Sequence, residues 1–406
     1  MTTVQLRRMA WLNPATPEFL STAEDVTFVP LEAVWPNGRA DFSRRADVAD
    51  VASGYTRFRA GDVLQPKVTP TFAHGRSTVA TIDTHVGAAS TEVHVLRAKS
   101  HACARYLAYV GQSRPFISEG MTRVEGVGNL LRVPPEFVAQ YRLPLMSRTE
   151  QEEIADFLDR ETAQIDAMIE AQEDLLQTLI NRCAATRRRG FFALRDMADI
   201  RPLKHLARKV SGSAFPLEEQ GEKGLDLPFY KVAALASRDV HGIIVTESDT
   251  IASETRARLG AHVIPTGSSL MAKIGAASLL ARIGIISRDC CIDNNMVAFI
   301  ARTGVDPRFL YHALCDIDIY PYINQSTIPY MNERAIMNAP IPLPNLAEQR
   351  RLVDKLDREL TKGSALVAET DSMIFLLRER REALITAAVS GRIDPTTGIE
   401  RIEEAS

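Results

Sequence analysis

The sequence predicts an α+β protein: two mixed α/β modules separated by two long antiparallel coiled-coil-like helices, arranged as an internal tandem repeat. Three observations carry this. Residues 143–161, LPLMSRTEQEEIADFLDRE, are written again at 341–359 as IPLPNLAEQRRLVDKLDRE, 198 residues later. Each copy opens a run whose apolar residues recur at helical spacing. The remainder alternates short β-branched runs with Gly, Pro and Asn punctuation.

Nine of the nineteen repeated positions are identical: Pro144/Pro342, Leu145/Leu343, Glu150/Glu348, Gln151/Gln349, Asp156/Asp354, Leu158/Leu356, Asp159/Asp357, Arg160/Arg358 and Glu161/Glu359. A period near 200 residues is too long for a solenoid and means two copies of a whole module. The expected division is a first module over 1–142, a central helix over 143–190, a second module over 191–340, a distal helix over 341–395 and a tail over 396–406.

The first module reads as strands around Val26–Val29 and Glu92–Leu96, and the second around Gly242–Val245 and Met296–Ile300. The modules echo one another: Gly61-Asp62-Val63-Leu64-Gln65-Pro66-Lys67 aligns with Gly267-Ser268-Ser269-Leu270-Met271-Ala272-Lys273, and Arg105-Tyr106-Leu107 with Arg308-Phe309-Leu310. Lys67 and Lys273 follow a Gly-x-x-Leu strand entry where a close backbone approach and a cation coincide. A phosphate or base contact and a solvated strand-end lysine both fit. The loop Thr69-Pro70-Thr71-Phe72-Ala73-His74-Gly75-Arg76 mixes a rigid turn with polar, aromatic and basic groups suited to groove edges, and equally suits a plain surface loop.

The central helix carries an apolar stripe at Ile154, Leu158, Ile165, Met168, Leu175 and Leu179, with Glu161 and Gln172 in the same seam. The distal helix repeats it at Val353, Leu356, Leu360, Val367, Ile374, Leu377, Leu384 and Ala388, interrupted by Gly363, Thr370 and Arg381. Such spacing marks a helix packed along one partner, and the polar interruptions are where register can be specified. Ser147 and Asn345 can cap the two starts, behind Pro144 and Pro342, and Gly391 with Pro395 stops the second helix. A seam of about 35 residues spans roughly 50 Å at 1.5 Å per residue. Arg187-Arg188-Arg189, placed after the first helix, could meet phosphates or complement the helix dipole.

Charge is segregated. The chain of 406 residues has net charge −3, yet residues 147–181 hold 2 Lys+Arg against 10 Asp+Glu, while residues 1–145 hold 16 against 13 and residues 200–340 hold 15 against 14. The acidic excess sits on a helix, so the modules stay open to a polyanion, where only local basic faces matter. The five cysteines include no CxxC pair, as expected of reduced thiols. Absence of an apolar leader and of any membrane-length apolar run predicts a cytoplasmic protein. No phosphate-cradling GxxxxGK[ST], HExxH, GxSxG, GxGxxG or metal-spaced Cys/His set appears, and a non-catalytic chain binding no cofactor or metal is expected.

The residues resemble the specificity subunit of type I restriction–modification systems. PLPNLAEQRRLVDKLDREL with REALITAAVSGRID is similar to the family's distal conserved region, and PLMSRTEQEEIADFLDRETAQIDAMIEAQEDLL to its central one. FVPLEAVWPNGR, FRAGDVLQPKVTPTFAHGR and STEVHVLRA are similar to a first target recognition domain; PFYKVAAL and GSSLMAKIGA take the equivalent places in a second. One departure is that the central region ends in NRCAATRRRG, without the ALITAAVSG-like tail of the distal copy.

The resemblance implies that each module reads one half of a bipartite, asymmetric site on double-stranded DNA while the helices set the gap. It also implies partners: two methyltransferase (modification) subunits and restriction/translocase subunits, which carry S-adenosylmethionine, ATP and Mg²⁺. Candidate DNA contacts are then Lys67, Thr69, Thr71, His74 and Arg76 in the first module and Lys273, Ser326 and Thr327 in the second. Candidate subunit or helix interface residues are Ile154, Leu158, Ile165, Leu175, Leu179, Val353, Leu356, Leu360, Ile374, Leu377 and Leu384. A protein-interaction scaffold with two paralogous modules is the alternative; an enzyme in its own right lacks any recognisable site.

Overall fold

The computed structural model of the chain describes residues 2–21, 25–127, 131–246 and 249–399; residues 400–406 of the expected tail lie outside it. Two compact units form, residues 1–172 with 372–406, and residues 173–371. Their boundary cuts through the long helices rather than between module and helix, because each helix contributes one half to each unit.

In the first unit the central sheet is built from β1 (Ala10–Leu12), β2 (Val63–Pro66), β3 (Thr78–Val79) and β4 (Val93–Ala98), in the antiparallel order β1-β4-β2-β3. Helix α1 (Ala104–Gln112) follows, and α2 (Arg148–Leu194) is the first long helix. A second four-stranded sheet includes the parallel pair Val26–Val29 and Val86–Ala89.

The second unit repeats the plan with β5 (Ala207–Ser211), β6 (Ser269–Ala272), β7 (Ile283–Ile285) and β8 (Met296–Ala301) in the order β5-β8-β6-β7, again antiparallel. Helix α3 (Pro307–Asp316) stands where α1 stood, and α4 (Leu346–Val389) is the second long helix. The parallel pair recurs as Phe229–Tyr230 against Cys291–Ile292. Each module also ties its entry strand to the strand leading into its long helix: Thr3–Gln5 pairs with Arg142–Pro144, and Asp199–Pro202 with Pro340–Leu343. Gly242–Val245, expected as a strand, makes only isolated bridges at Ile243 and Ile244.

Each strand β2 and β6 is buried along its whole length. Gly61 and Gly267 precede them with φ of 84° and 79°, a left-handed conformation that glycine alone adopts without cost. A Cβ on Gly61 would meet nothing within 4 Å. The repeated glycine therefore serves the turn into the strand in both modules, and at Gly267 a Cβ would also lie 3.3 Å from the Pro307 side chain.

The long helices pair antiparallel within each unit. In the first, Ile154 and Leu158 of α2 share a core with Ile385, Ala388 and Val389 of α4 and with Leu6, Tyr106 and Leu143 of the module. Arg381 lies in this pairing and donates from Nε to Asp166 Oδ1 at 2.9 Å, with both side chains 12% exposed. In the second, Phe191 of α2 joins Leu352, Val353 and Leu356 of α4 and Phe309 of α3. Gly363 lets the helices close there, since its Cβ would lie 2.5 Å from Cys183 Sγ.

Ile154, Leu158, Ile165, Val353, Leu356, Leu360 and Ile374 are buried, and Leu179, Leu377 and Leu384 are half-buried. Leu175 and Met168 are exposed, at 44% and 51%. The apolar stripe over-extends the seam at these two positions, as heptad spacing cannot separate a face covered by a helix from one turned to solvent.

The first helix runs to Leu194, past the expected end at 190, and Arg187-Arg188-Arg189 lies inside it rather than after it. Burial of Phe191 against the Phe309 ring, 5.4 Å between centroids, carries the helix on. At the starts, Ser147 and Glu150 exchange side-chain and backbone hydrogen bonds in a capping box, and Asn345 accepts from the Glu348 N–H at 3.1 Å. At its end, α4 closes on a Schellman motif, Arg392 N–H to Ala387 O and Gly391 N–H to Ala388 O, with Gly391 left-handed.

Candidate nucleic-acid interface

Several repeated identities turn out to be the joints between module and helix. Gln151 accepts the Cys103 N–H on Oε1 at 2.9 Å and donates to Met146 O. Gln349 does the same for the Asp306 N–H at 2.8 Å and donates to Gly304 O and Pro344 O. Asp159 binds Arg105 and Tyr109 of α1; Asp357 binds Arg308 and His312 of α3. A glutamine and an aspartate eight residues apart thus hold each long helix against the helix that backs each sheet.

Burial lowers the pKa of His312, which is fully buried, despite the opposing effect of its contact with Asp357 at 3.2 Å. Burial also lowers His94 in the first unit, whose ring bonds Val133 O at 3.0 Å and Asn13 Nδ2 at 3.2 Å. An unfolded histidine takes a proton below about pH 6.5, while these two resist it, so the unfolded chain binds more protons as pH falls. Stability is therefore retained above about pH 6.5 and is lost progressively on acidification below it. Melting temperature followed over that range is expected to fall in the native chain. His94→Asn and His312→Gln are each expected to flatten the decline; an unchanged pH profile in both would show that other groups govern it.

The repeated lysines occupy matching places. Val133 N–H donates to Lys67 O and Met331 N–H to Lys273 O, both at 2.8 Å, while Lys67 N–H meets Glu92 O and Lys273 N–H meets Asn295 O. Their surroundings differ. Near Lys67, Arg132 grips Glu92 with two bonds of 2.7 and 2.8 Å, and that contact holds the Glu92 carboxyl below the usual range against the opposing effect of burial. Lys273 is not the solvated strand-end lysine that was one option: it is 14% exposed and its Nζ binds Glu333 Oε1 at 3.1 Å. Lys209 of β5 and the Ser211 hydroxyl hold the other oxygen at 2.7 and 3.0 Å. Burial raises the Glu333 carboxyl, and the two lysines more than offset it, leaving it lowered.

The other candidates divide into groups that face solvent and groups that shape a loop. His74, Ser326 and Thr327 are exposed; Ser326 and Thr327 sit in the loop joining Ile323–Asn324 to Tyr330–Met331, where the Ser326 hydroxyl also donates to Ile328 O at 2.6 Å. Thr69, Thr71 and Arg76 donate instead to the backbone carbonyls of Leu131, Val68 and Val34. Lys273, Ser326, Ile328, Tyr330 and Glu333 line one cleft of about 400 Å³ in the second unit. Lys209, Glu333, Glu92 and Arg132 were missed from sequence; residues 124 positions apart, as Lys209 and Glu333 are, leave no local pattern.

Among the described residues no group of three or more His, Cys, Asp or Glu could hold a metal, and no helix is long and apolar enough to cross a membrane.

Residues 192–369 match the family model of the type I restriction modification DNA specificity domain. The chain is 28% identical over 189 residues to the EcoEI type I restriction enzyme specificity subunit of Escherichia coli, covering 44% of this chain and 31% of that one. The corresponding EcoAI subunit of the same organism is 27% identical over 187 residues, 43% of this chain and 31% of the relative. The chain thus spans about a third of the length of these relatives.

Two solved structures share the fold over nearly the whole chain. One, from work on complex assembly and conformational transition of the type I R-M system, has a TM-score of 0.70 at 18% identity, covering 96% of this chain and 97% of its own. The HsdS subunit from Thermoanaerobacter tengcongensis has a TM-score of 0.50 at 19% identity, covering 96% of each. The family-model match covers residues 192–369, while the fold shared with these two structures extends over nearly the whole chain.

Proposed function

We propose that this chain, with a type I restriction modification DNA specificity domain at residues 192–369, selects the DNA target of a type I restriction–modification complex. The observation that carries the reading is a duplicated scaffold with divergent polar groups at the same place: two modules of one topology, one setting Arg132 on Glu92, the other setting two lysines on Glu333. Such a pair suits a bipartite, asymmetric site on double-stranded DNA, each module reading one half. Lys67, His74, Ser326 and Thr327 are the contacts we assign; Thr69, Thr71 and Arg76 shape the first-module loop that carries His74.

The helices of 47 and 44 residues are about 70 and 65 Å long at 1.5 Å per residue. Half-sites on one face of B-DNA lie roughly 34 Å apart, a distance such helices can bridge, and we assign them the gap between the halves. The chain itself makes and breaks no bond. Two methyltransferase subunits and the restriction/translocase subunits would bring adenine methylation, translocation and cleavage, together with S-adenosylmethionine, ATP and Mg²⁺.

A heptad inserted into both helices at matched levels lengthens each by about 10 Å. Selection of bound duplexes from a randomised pool by the assembled complex is expected to return the same two half-sites with a gap widened by about three base pairs at 3.4 Å each. Retention of the original gap would remove the helices from that role.

A further inference from the structure

We propose that Lys209 and Lys273 form a pair of phosphate contacts in the second module, and that Glu333 is the positioning residue that holds them; the inference rests on the DNA-recognition reading above. The two lysines rise from β5 and from the end of β6, strands that flank β8. Lys209 pairs with Phe299 and Phe299 with Ser269, four residues before Lys273, so the two backbones lie about 10 Å apart across the sheet and about 13 Å along it, and a shared partner brings their ammonium groups together. Glu333 is that partner. It takes Lys209 on one oxygen and Lys273 on the other, while Ser211 fixes the first.

One lysine would neutralise one carboxylate. The second is in excess, and each ammonium has three donors of which Glu333 uses one. The other acid acting on Lys273, Asp293, is 9% exposed, and its Oδ1 accepts the Asn295 N–H at 3.0 Å. Lysine held in advance loses less freedom when it meets a phosphate than a mobile surface lysine does. Lys273 and Glu333 also open into the cleft lined by Ser326, Ile328 and Tyr330, where Ile328 and Tyr330 present exposed apolar surface to a sugar edge. The first module is built differently: Arg132 grips Glu92 directly, and Lys67 acts on the same carboxylate without a hydrogen bond to it among the described contacts.

The test is the salt dependence of binding of the full chain to mixed-sequence duplex DNA. Each phosphate contact contributes about 0.9 to the slope of log K against log salt. Lys209→Ala and Lys273→Ala are each expected to flatten the slope by about that amount, and Lys273→Arg to restore it. Glu333→Gln, which removes a negative charge beside the phosphates, is expected to tighten binding several-fold at low salt. Slopes equal to wild type in Lys209→Ala and Lys273→Ala chains that melt normally would overturn the pair. Should an alanine variant unfold, Lys273→Arg and Glu333→Gln decide, and binding by Glu333→Gln no tighter than wild type counts against the inference. A wild-type chain with no salt-dependent duplex binding would instead overturn the DNA reading itself.

Discussion

Leu356→Asp is expected to abolish folding of the second unit, and Leu158→Asp that of the first. The two leucines hold the same position of the repeat and are 1% and 0% exposed, each inside the core that joins helix to module. Loss of a buried leucine costs about 2–5 kcal/mol, and a carboxylate without a partner in that place adds a further desolvation cost. Together these approach the whole stability of a domain, about 5–15 kcal/mol. Leu175→Asp supplies the contrast: the same substitution on the same helix at an exposed position is expected to change stability by less than about 0.5 kcal/mol. Denaturant melts read with limited proteolysis separate the cases, and equal melts for Leu158→Asp and Leu175→Asp would contradict the helix seam described here.

The second large effect is expected at the glutamine joints. Gln349 is 1% exposed and satisfies three backbone groups, the Asp306 N–H and the Gly304 and Pro344 carbonyls. Gln349→Ala leaves all three without this partner, at about 1–3 kcal/mol for each that stays buried, so a loss of about 3–5 kcal/mol is expected. Gln151→Ala is expected to cost a similar amount in the first unit. Glu348→Ala, one residue away at a half-buried position of the same first turn, is expected to cost under about 1 kcal/mol. Urea midpoints measure both; a Gln349→Ala midpoint no lower than that of Glu348→Ala would mean that the joint carries no load.

Much of the architecture was legible because duplication writes it twice. Identities such as Gln151/Gln349 and Asp159/Asp357 signalled a repeated element, and Ser147, Asn345 and Gly391 marked helix ends through local capping chemistry that needs no tertiary knowledge. What those identities do was hidden, because their partners, Cys103 and Asp306 or Arg105 and Arg308, lie about 50 residues away. The end of the first helix was misplaced for a like reason: Phe191 continues the helix only because Phe309 is there to cover it. Leu175 shows the reverse error, where periodicity promised burial that the fold does not supply.

The candidate contacts were harder still. Lys67 and Lys273 were visible as a repeated pair, yet Thr69, Thr71 and Arg76 spend their polar atoms on backbone carbonyls, a choice made by loop geometry. The Lys209–Glu333–Lys273 group joins three separate stretches of chain and has no signature along the sequence.

The most direct measurement is a map of methylated adenines in DNA exposed to this chain co-expressed with an active modification subunit. The expected result is one asymmetric motif in two parts with a fixed gap, altered in one half only when the corresponding module is exchanged. Methylation without a split motif, or none at all from a stable complex with an active partner, would contradict the role proposed for the chain.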